Sequence, residues 1–269
     1  MGNLFYPQLA SGAVSQYPIK KTSLVRTVKN VLRDGSIIPY RYPNASQDRI
    51  WQLIYTDLDG ADMQALQAHF AACGGPFRAF TFIDPTENML VWSSDLRLAP
   101  WQSLSLLQLQ PGLADPDGGA AGFTATNAGQ GSLEISQTLV VPAGYQYCFS
   151  LYATSAQPSQ IVLTRRGGPS TQESTTFSVG TGWTRLASSG RLNDTGTEFS
   201  VAIALAAGQQ VGLYGMQLEP QVAPSRYRPT SSIGGVHANA HWGVDQLITD
   251  AEAPNLYATS FSIEALIKD

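Results

Sequence analysis

The chain has 269 residues, of which 16 are basic and 20 acidic, so its formal net charge is −4. Charged residues make up 13% of the sequence, which is about half the share found in an ordinary soluble domain, and aromatic residues make up 10%. This composition excludes a disordered chain, which needs high net charge and few aromatic residues. It also excludes a strongly nucleic-acid-binding protein, because lysine and arginine are not in excess. The neutral polar surface is typical of β-structure that packs against other protein copies.

The sequence shows neither a membrane span nor a leader. No stretch approaches the roughly 18 apolar residues of a transmembrane helix. Residues Met1–Tyr17 lack a basic segment followed by a long apolar core, so we expect synthesis in a cytoplasm. Cys73 and Cys148 stand in unrelated contexts, which favours two buried thiols over a disulfide.

The first 95 residues predict strands and turns. Leu24–Leu32 is rich in β-forming residues, an Asp34-Gly35 turn follows, and Ile37–Tyr40 returns, which predicts a β-hairpin. Ile50–Tyr55 predicts another strand. At the far end of the chain, Tyr257–Leu266 alternates as a terminal strand does.

One short helix is predicted after residue 58. Asp59 is suited to cap its N-terminus, and Gly74 ends it. His69 lies at the edge of the apolar stripe, where packing is a simpler role than chemistry. The stripe itself comprises Met63, Leu66, Phe70 and Cys73. The next predicted strand, Ala79–Ile83, closes in the turn Asp84–Asn88.

From residue 96 to residue 230 the helical periodicity disappears and short β-runs follow one another, as in a β-sandwich. In Glu198–Leu205 the alternate residues Phe199, Val201, Ile203 and Leu205 are expected to face the core. The predicted runs are Ser132–Val141, Tyr145–Thr154, Ser159–Arg165, Thr175–Val179, Thr184–Ala187, Glu198–Leu205 and Gln210–Leu218.

Residues 231–269 are too few to bury a core alone, so we expect them to complete the first domain. The predicted architecture is mainly β. A discontinuous β-sandwich domain with one short helix comprises 1–95 plus 231–269, and it is interrupted by an inserted β-sandwich at 96–230.

The sequence contains no nucleophile elbow, phosphate-binding loop, metal-spaced cysteine pair or dinucleotide-binding glycine turn. His237 and His241 have the spacing of a zinc helix, but their context predicts strand and turn. Asp115-Pro116-Asp117-Gly118 is explained by turn formation, and calcium binding is the alternative. We therefore expect no cofactor and no enzyme. A polysaccharide hydrolase in particular would need a carboxylate pair.

Charge is unevenly placed along the chain. Five basic residues precede any acidic one, and the last 39 residues carry the whole net charge. Pairing between the basic patch of one copy and the acidic tail of the next is one explanation, and a solvated hairpin face is the other. The basic patch comprises Lys20, Lys21, Arg26, Lys29 and Arg33, and the acidic tail comprises Asp245, Asp250 and Glu252.

Aromatic residues are frequent in the predicted insert. Because a strand places side chains on both of its faces, these aromatic residues form either a surface platform on which sugar rings stack or part of the buried core. They are Trp101, Tyr145, Tyr147, Tyr152, Trp183 and Tyr214. Trp183 follows the loop-like Gly180–Gly182 and is the foremost exposed candidate, with Tyr145 and Tyr147 as further glycan-contacting candidates.

Two stretches resemble known families. The first comprises Phe5–Leu9, Tyr17–Ile19, Trp51–Tyr55, Phe80–Asn88 and the closing Gly234–Ala240. It resembles the distal tail protein family of long-tailed bacteriophages, prophages and gene transfer agents. The second comprises Gln217–Pro220 and Pro224–Thr230, and it is similar to the end of carbohydrate-binding-module-like jelly rolls that many phage tail proteins carry. Neither resemblance supplies catalytic residues.

The first resemblance implies a structural protein of the virion, made in the bacterial cytoplasm and located at the tail tip. Its discontinuous domain would form a closed ring, a hexamer, that joins the tail tube protein to the tip, hub or baseplate proteins. The second resemblance implies that the insert is a jelly roll. The alternative function is a receptor-binding module in which the insert binds a host-surface saccharide.

Overall fold

The computed structural model describes residues 3–25, 27–40, 47–168 and 170–267. The predicted fold class is confirmed, because the protein is mainly β with antiparallel sheets in sandwich-like arrangement. Two compact units are present. The discontinuous unit comprises Met1–Ala10, Val14–Phe82 and His237–Asp269, and the inserted unit comprises Ser11–Ala13 and Ile83–Val236.

The strands occur in this chain order: β1 (Lys20–Val25), β2 (Val28–Val31), β3 (Ile37–Tyr40), β4 (Gln47–Leu58), β5 (Phe80–Ile83), β6 (Gln102–Ser103), β7 (Leu107–Leu113), β8 (Gly122–Asn127), β9 (Leu133–Leu139), β10 (Tyr147–Thr154), β11 (Ser159–Arg166), β12 (Gln172–Val179), β13 (Thr184–Gly190), β14 (Phe199–Leu205), β15 (Gln210–Glu219), β16 (Val236–Trp242), β17 (Asp250–Ala253) and β18 (Leu256–Ile267). The helix α1 (Gly60–Cys73) lies between β4 and β5, and a 3-10 turn at Gly75–Phe77 follows it.

The discontinuous unit is built on a six-stranded sheet. Five of the strands follow one another in the order β1-β4-β18-β16-β5, and the sixth, β17, pairs with β18. Strand β4 alternates as a half-buried strand should, since Trp51, Leu53 and Tyr55 are buried while Ile54 is 47% exposed. In β18 the buried residues include Phe261 and Ile263. The terminal strand predicted from the alternation of residues 257–266 is therefore present.

Helix α1 begins and ends where the sequence predicts. The Asp59 carboxylate accepts a hydrogen bond from the backbone N–H of Asp62 at 2.8 Å, and Gly74 ends the helix at φ 64°. The buried stripe differs in one position, because His69 is buried and Phe70 is only half-buried. Trp242 Nε1 donates to His69 Nδ1 at 3.2 Å, so the imidazole is satisfied within the core.

Strands β2 and β3 form the predicted hairpin, in which Val28 pairs with Tyr40 and Val31 with Ile37. The Asp34 carboxylate accepts hydrogen bonds from the N–H and hydroxyl of Ser36, which fixes the turn. Every residue of both strands is exposed. The hairpin thus carries apolar side chains that no described part of its unit covers.

The inserted unit has jelly-roll topology. One five-stranded sheet, the aromatic sheet, has the order β13-β10-β15-β8-β7, and the second has the order β12-β11-β14-β9-β6. Strands β8 to β15 are distributed over the two sheets as in a double Greek key. The predicted core residues Phe199, Val201, Ile203 and Leu205 are all buried. Strands β7 and β8 were not predicted. In β7, Pro111 and Gly112 interrupt the alternation at an irregularity in its pairing with β8.

The long segment of the inserted unit runs from Ile83 to Val236, and the boundaries at 96 and 230 stay a prediction. Asn88 connects the beginning of this segment to its end. Its side chain is fully buried, donates to the carbonyl groups of Met216 and Arg228, and accepts from the N–H groups of Leu90 and Leu218. Both ends of the unit are therefore fastened to strand β15.

Cys73 and Cys148 are both buried free thiols, as predicted. Burial raises the pKa of the Cys148 thiol to about 11, so it behaves as a small apolar group.

Burial of His69 predicts an acid-sensitive discontinuous unit. Burial lowers its pKa from 6.5 to about 4. Between those two pH values the unfolded chain binds a proton that the folded chain does not, so stability that is full above pH 6.5 is lost as the pH falls towards 4. The contribution is roughly 3 kcal/mol. Urea unfolding measured from pH 7 to 4 should show a steeper loss for the wild type than for His69→Gln. Parallel loss in both proteins would contradict this assignment.

Candidate functional site

Three strands of the aromatic sheet align the side chains of the candidate site. Arg185 on β13 lies opposite Tyr152 on β10, and Tyr152 lies opposite Tyr214 on β15. The neighbouring residues Leu151 and Leu213 are completely buried in the sandwich. Because successive side chains point to opposite faces of a strand, the row formed by Arg185, Tyr152 and Tyr214 lies on the outward face.

Four aromatic rings gather on this outward face. The Tyr214 ring lies at its centre, with ring centroids 6.0 Å from Tyr152, 6.3 Å from Trp183 and 5.2 Å from Tyr227. Tyr214 is 8% exposed, whereas the three surrounding residues are half-buried. We call Tyr152, Trp183, Tyr214 and Tyr227 the aromatic face. It offers flat apolar area with phenol and indole groups at its edge.

Trp183 is held across the sheet. Its Nε1 donates to the carbonyl of Ala114 at 3.2 Å. The indole passes close to Gly212, where an added Cβ would lie 3.3 Å from Trp183 and 2.6 Å from both Leu113 and Thr154. Only glycine leaves room at this position, so the sequence of β15 itself makes space for the Trp183 ring.

The Asp115–Gly118 turn supports the aromatic face. The Asp115 carboxylate accepts hydrogen bonds from the N–H groups of Asp117, Gly119 and Ala121 at 2.9 to 3.0 Å. The Tyr214 hydroxyl donates to the Asp117 carboxylate at 2.9 Å. Burial, and then the Asp117 charge, raise the pKa of Tyr214. Protein donors thus engage the carboxylates of both Asp115 and Asp117, as turn formation requires, and calcium binding stays an untested alternative.

The exit segment, residues 220–230, covers the far part of the same outward face. Gln217 Oε1 accepts from the Arg228 N–H at 2.7 Å, and Glu219 accepts from the N–H of Ser225 at 3.0 Å. These bonds bring Tyr227 against Tyr214. The Tyr227 hydroxyl lies 3.1 Å from Ser93 Oγ, and burial raises its pKa to about 12. The open part of the face is consequently the end that carries Tyr152, Trp183 and Arg185.

Arg185 lies beside the aromatic rings as the one cation of the row. Its guanidinium carbon is 5.3 Å from the centroid of the Tyr152 ring, within cation–π range. Its Nη2 donates to Ser150 Oγ at 3.0 Å. The row therefore combines a positive charge with stacking surface.

The structure separates the predicted glycan-contacting residues. Trp183 belongs to the aromatic face. Tyr147 is completely buried, with its ring 4.4 Å from Phe199, so it belongs to the core and is withdrawn as a surface contact. Tyr145 is half-buried but precedes the opposite end of β10, roughly 20 Å of extended strand from Tyr152.

Two further aromatic residues considered from sequence, Tyr152 and Tyr214, lie in the aromatic face beside Trp183. Tyr152 and Tyr214 pair across strands, which only the register of the sheet could establish. Trp101, in contrast, is 7% exposed and donates its Nε1 to the carbonyl of Trp92, so it is core.

The candidate inter-subunit residues lie in the discontinuous unit. Lys20, Lys29, Asp245, Asp250 and Glu252 are exposed. Lys21 is half-buried, with its Nζ 5.9 Å from the centroid of the Trp51 ring, and Arg26 lies outside the described residues. Pairing of the two sets between copies stays a prediction.

His237 and His241 both lie on strand β16, as their context predicts. Four residues of extended strand separate their Cα atoms by about 13 Å, so the two imidazoles are not brought together as the same spacing would bring them on a helix. No helix in the described residues has the length and hydropathy needed to cross a membrane.

No protein-family model matches the chain, and no curated protein matches it. Several solved structures are similar to part of the chain. The carbohydrate-binding module TmCBM61, solved with β-1,4-galactotriose, is 17% identical with a TM-score of 0.37, and the match covers 49% of this chain and 97% of that one. The xylan-binding CBM22-1 domain of Paenibacillus barcinonensis Xyn10C is 14% identical, with a TM-score of 0.42 and coverage of 52% and 99%. The enzymatically active domain of bacteriophage CBA120 tailspike protein 4 is 10% identical, with a TM-score of 0.41 and coverage of 51% and 22%.

Proposed function

We propose that the inserted unit binds a saccharide through the aromatic face. The observation that carries this proposal is the grouping of half-buried Tyr152, Trp183 and Tyr227 around Tyr214 on the outward side of a rigid sheet. Pyranose rings present flat C–H surfaces that stack on aromatic rings, and their hydroxyl groups need polar partners at the edge of the stack. Aromatic area with a few fixed polar groups is the usual construction of a small-molecule site.

The open part of the face limits the length of the ligand. The row Arg185–Tyr152–Tyr214 crosses three adjacent strands, which is about 10 Å from the first strand to the third. The exit segment occupies the surface beyond Gln217 and Glu219. The site is therefore sized for about two sugar rings, so it suits the end of a surface glycan or a short stretch of one.

Substitution of Trp183 tests the proposal. Binding of the full chain to an array of bacterial surface and plant oligosaccharides, followed by calorimetry on the best ligand, should give a dissociation constant for the wild type. Trp183→Ala should weaken it at least tenfold, which is about 1.4 kcal/mol, because the stacking surface is lost. Tyr145→Ala, at the other end of β10, is the matched control and should bind normally. Equal binding by all three proteins, or no saccharide bound by the wild type, would refute the proposal.

A second candidate function concerns the discontinuous unit. We propose that it assembles with copies of itself into a closed ring, a hexamer, at the distal end of a tail tube, beside the tube and tip proteins. The hairpin β2–β3 supports this proposal. A two-stranded hairpin is marginal on its own, and a cluster of exposed apolar side chains marks a protein interface. Its exposed apolar residues are Val28 (46%), Val31 (69%), Ile37 (58%), Ile38 (50%) and Tyr40 (45%).

A groove on the same unit suits such a hairpin from a second copy. It has a volume of about 570 Å³ and is lined by the apolar residues Leu24, Ile50 and Leu266 together with Asp48 and Glu264. The hairpin contributes the exposed cations Lys29 and Arg33. Apolar area and opposite charge therefore occur on the two surfaces, as an interface between copies requires.

Native mass spectrometry tests the assembly. The wild-type chain should form a defined oligomer, and a Val31→Ser, Ile37→Ser double variant should shift it to monomer, because both substitutions remove exposed apolar area from the hairpin. Val140→Ser changes an equally apolar, 52% exposed residue of the inserted unit and should leave the oligomer intact. A wild type that stays monomeric at high concentration would refute the ring, and a double variant that still assembles would refute the role of the hairpin in it.

A further inference from the structure

Arg185 differs from the arginines near it in having no counter-charge. Arg165 pairs with Glu173 at 2.5 Å, and Arg166 forms two 2.6 Å hydrogen bonds with Glu134. Among the described residues, no carboxylate pairs with Arg185, whose single hydrogen bond goes to Ser150 Oγ. The neutral hydroxyl leaves the charge uncompensated.

The guanidinium is also partly withdrawn from water. Arg185 is half-buried, and its Nε is a buried donor without a hydrogen-bond partner in the described part of the chain. A buried cation that is neither paired nor fully hydrogen-bonded destabilises the fold, and proteins usually pair such groups. The Tyr152 ring at 5.3 Å offsets part of that cost but supplies no acceptor.

Arg185 lies within reach of a ligand that binds on the aromatic face. Arg185 occupies the end of the row Arg185–Tyr152–Tyr214, and it lies two residues after Trp183, which immediately precedes strand β13. A sugar ring stacked on Tyr152 or Trp183 would bring its substituents beside the guanidinium. The planar fork of arginine matches a carboxylate, from which both oxygens can accept parallel hydrogen bonds.

We infer that the aromatic face selects acidic saccharides, with the carboxylate of a uronic-acid-type sugar held by Arg185 while a sugar ring stacks on Tyr152 and Trp183. This inference rests on the proposed saccharide binding and specifies its ligand class. The carboxylate supplies the counter-charge that the protein omits. Neutral saccharides would leave Arg185 unpaired beneath the ligand, and their binding would be correspondingly weaker.

Matched acidic and neutral probes test the inference. Trigalacturonate, a mannuronate trimer and a hyaluronan tetrasaccharide are each compared with their carboxyl-reduced forms, by calorimetry on the full chain. For at least one pair the wild type should bind the acid at least tenfold more tightly than the reduced form. The preference should shrink as NaCl is raised, because screening weakens a charge pair.

Two substitutions of Arg185 and two controls complete the experiment. Arg185→Gln should abolish the preference, and Arg185→Lys should keep only part of it, because a lysine retains the charge but loses the fork. Arg166→Gln, which removes an arginine already paired with Glu134, should leave the preference unchanged. Trp183→Ala should weaken binding of both members of a pair. Cooperative unfolding of each variant checks that it is folded.

The outcomes separate this inference from the proposed function. Equal binding of acidic and reduced probes, lost in Trp183→Ala, would overturn the role of Arg185 and leave saccharide binding standing. An acid preference that survives Arg185→Gln in a folded protein would also overturn it. Binding that neither Trp183→Ala nor Arg185→Gln affects would overturn both proposals, as would failure of the wild type to bind any acidic or neutral probe.

Discussion

The register of strand β10 between β13 and β15 is the constraint on which the candidate site depends. Leu151 points into the sandwich, so Tyr152 must point out, and its partners Arg185 and Tyr214 follow it. A slip of one residue would expose Leu151 and bury a tyrosine and a cation, so the buried core specifies the register strongly. The outward row is in this sense a consequence of apolar packing on the other side of the sheet.

A bulge refines that arrangement. Between Ser150 and Tyr152 the pairing with β15 shifts, so that Tyr214 and Gln217 both lie on the outward face. Gly215, at φ 67°, supplies the backbone conformation that the extra residue needs, and Tyr227 packs close to it. Because of the bulge, strand β15 places the Tyr214 ring beside the open end of the aromatic face and the Gln217 amide against the exit segment, which covers the rest of the outward face.

Local signals in the sequence predicted much of the fold. The Asp34-Gly35 turn, the Asp59 cap and Gly74 are short-range features. The alternation from Phe199 to Leu205 is also visible within a single strand, so its buried residues were predicted without knowledge of the neighbouring strands. Long-range contacts carried no such signal: Asn88 donates to the carbonyl groups of Met216 and Arg228, which lie far along the chain.

The site was less predictable than the fold for a related reason. In β10 the first residues are buried on both faces, since Tyr147, Cys148 and Phe149 are all completely buried. Alternation alone could therefore not separate the buried Tyr147 from the outward Tyr152. Arg185 carried no signal at all, because a single arginine in a strand gains meaning only from what lies across the sheet.

A crystal structure of the chain with its best oligosaccharide tests the central claim most directly, because it shows where the ligand lies. We predict a sugar ring stacked on Tyr152 or Trp183, at the end of the aromatic sheet that the exit segment leaves open. A ligand bound beside Tyr145, or on the outward face of the second sheet of the inserted unit, would contradict it.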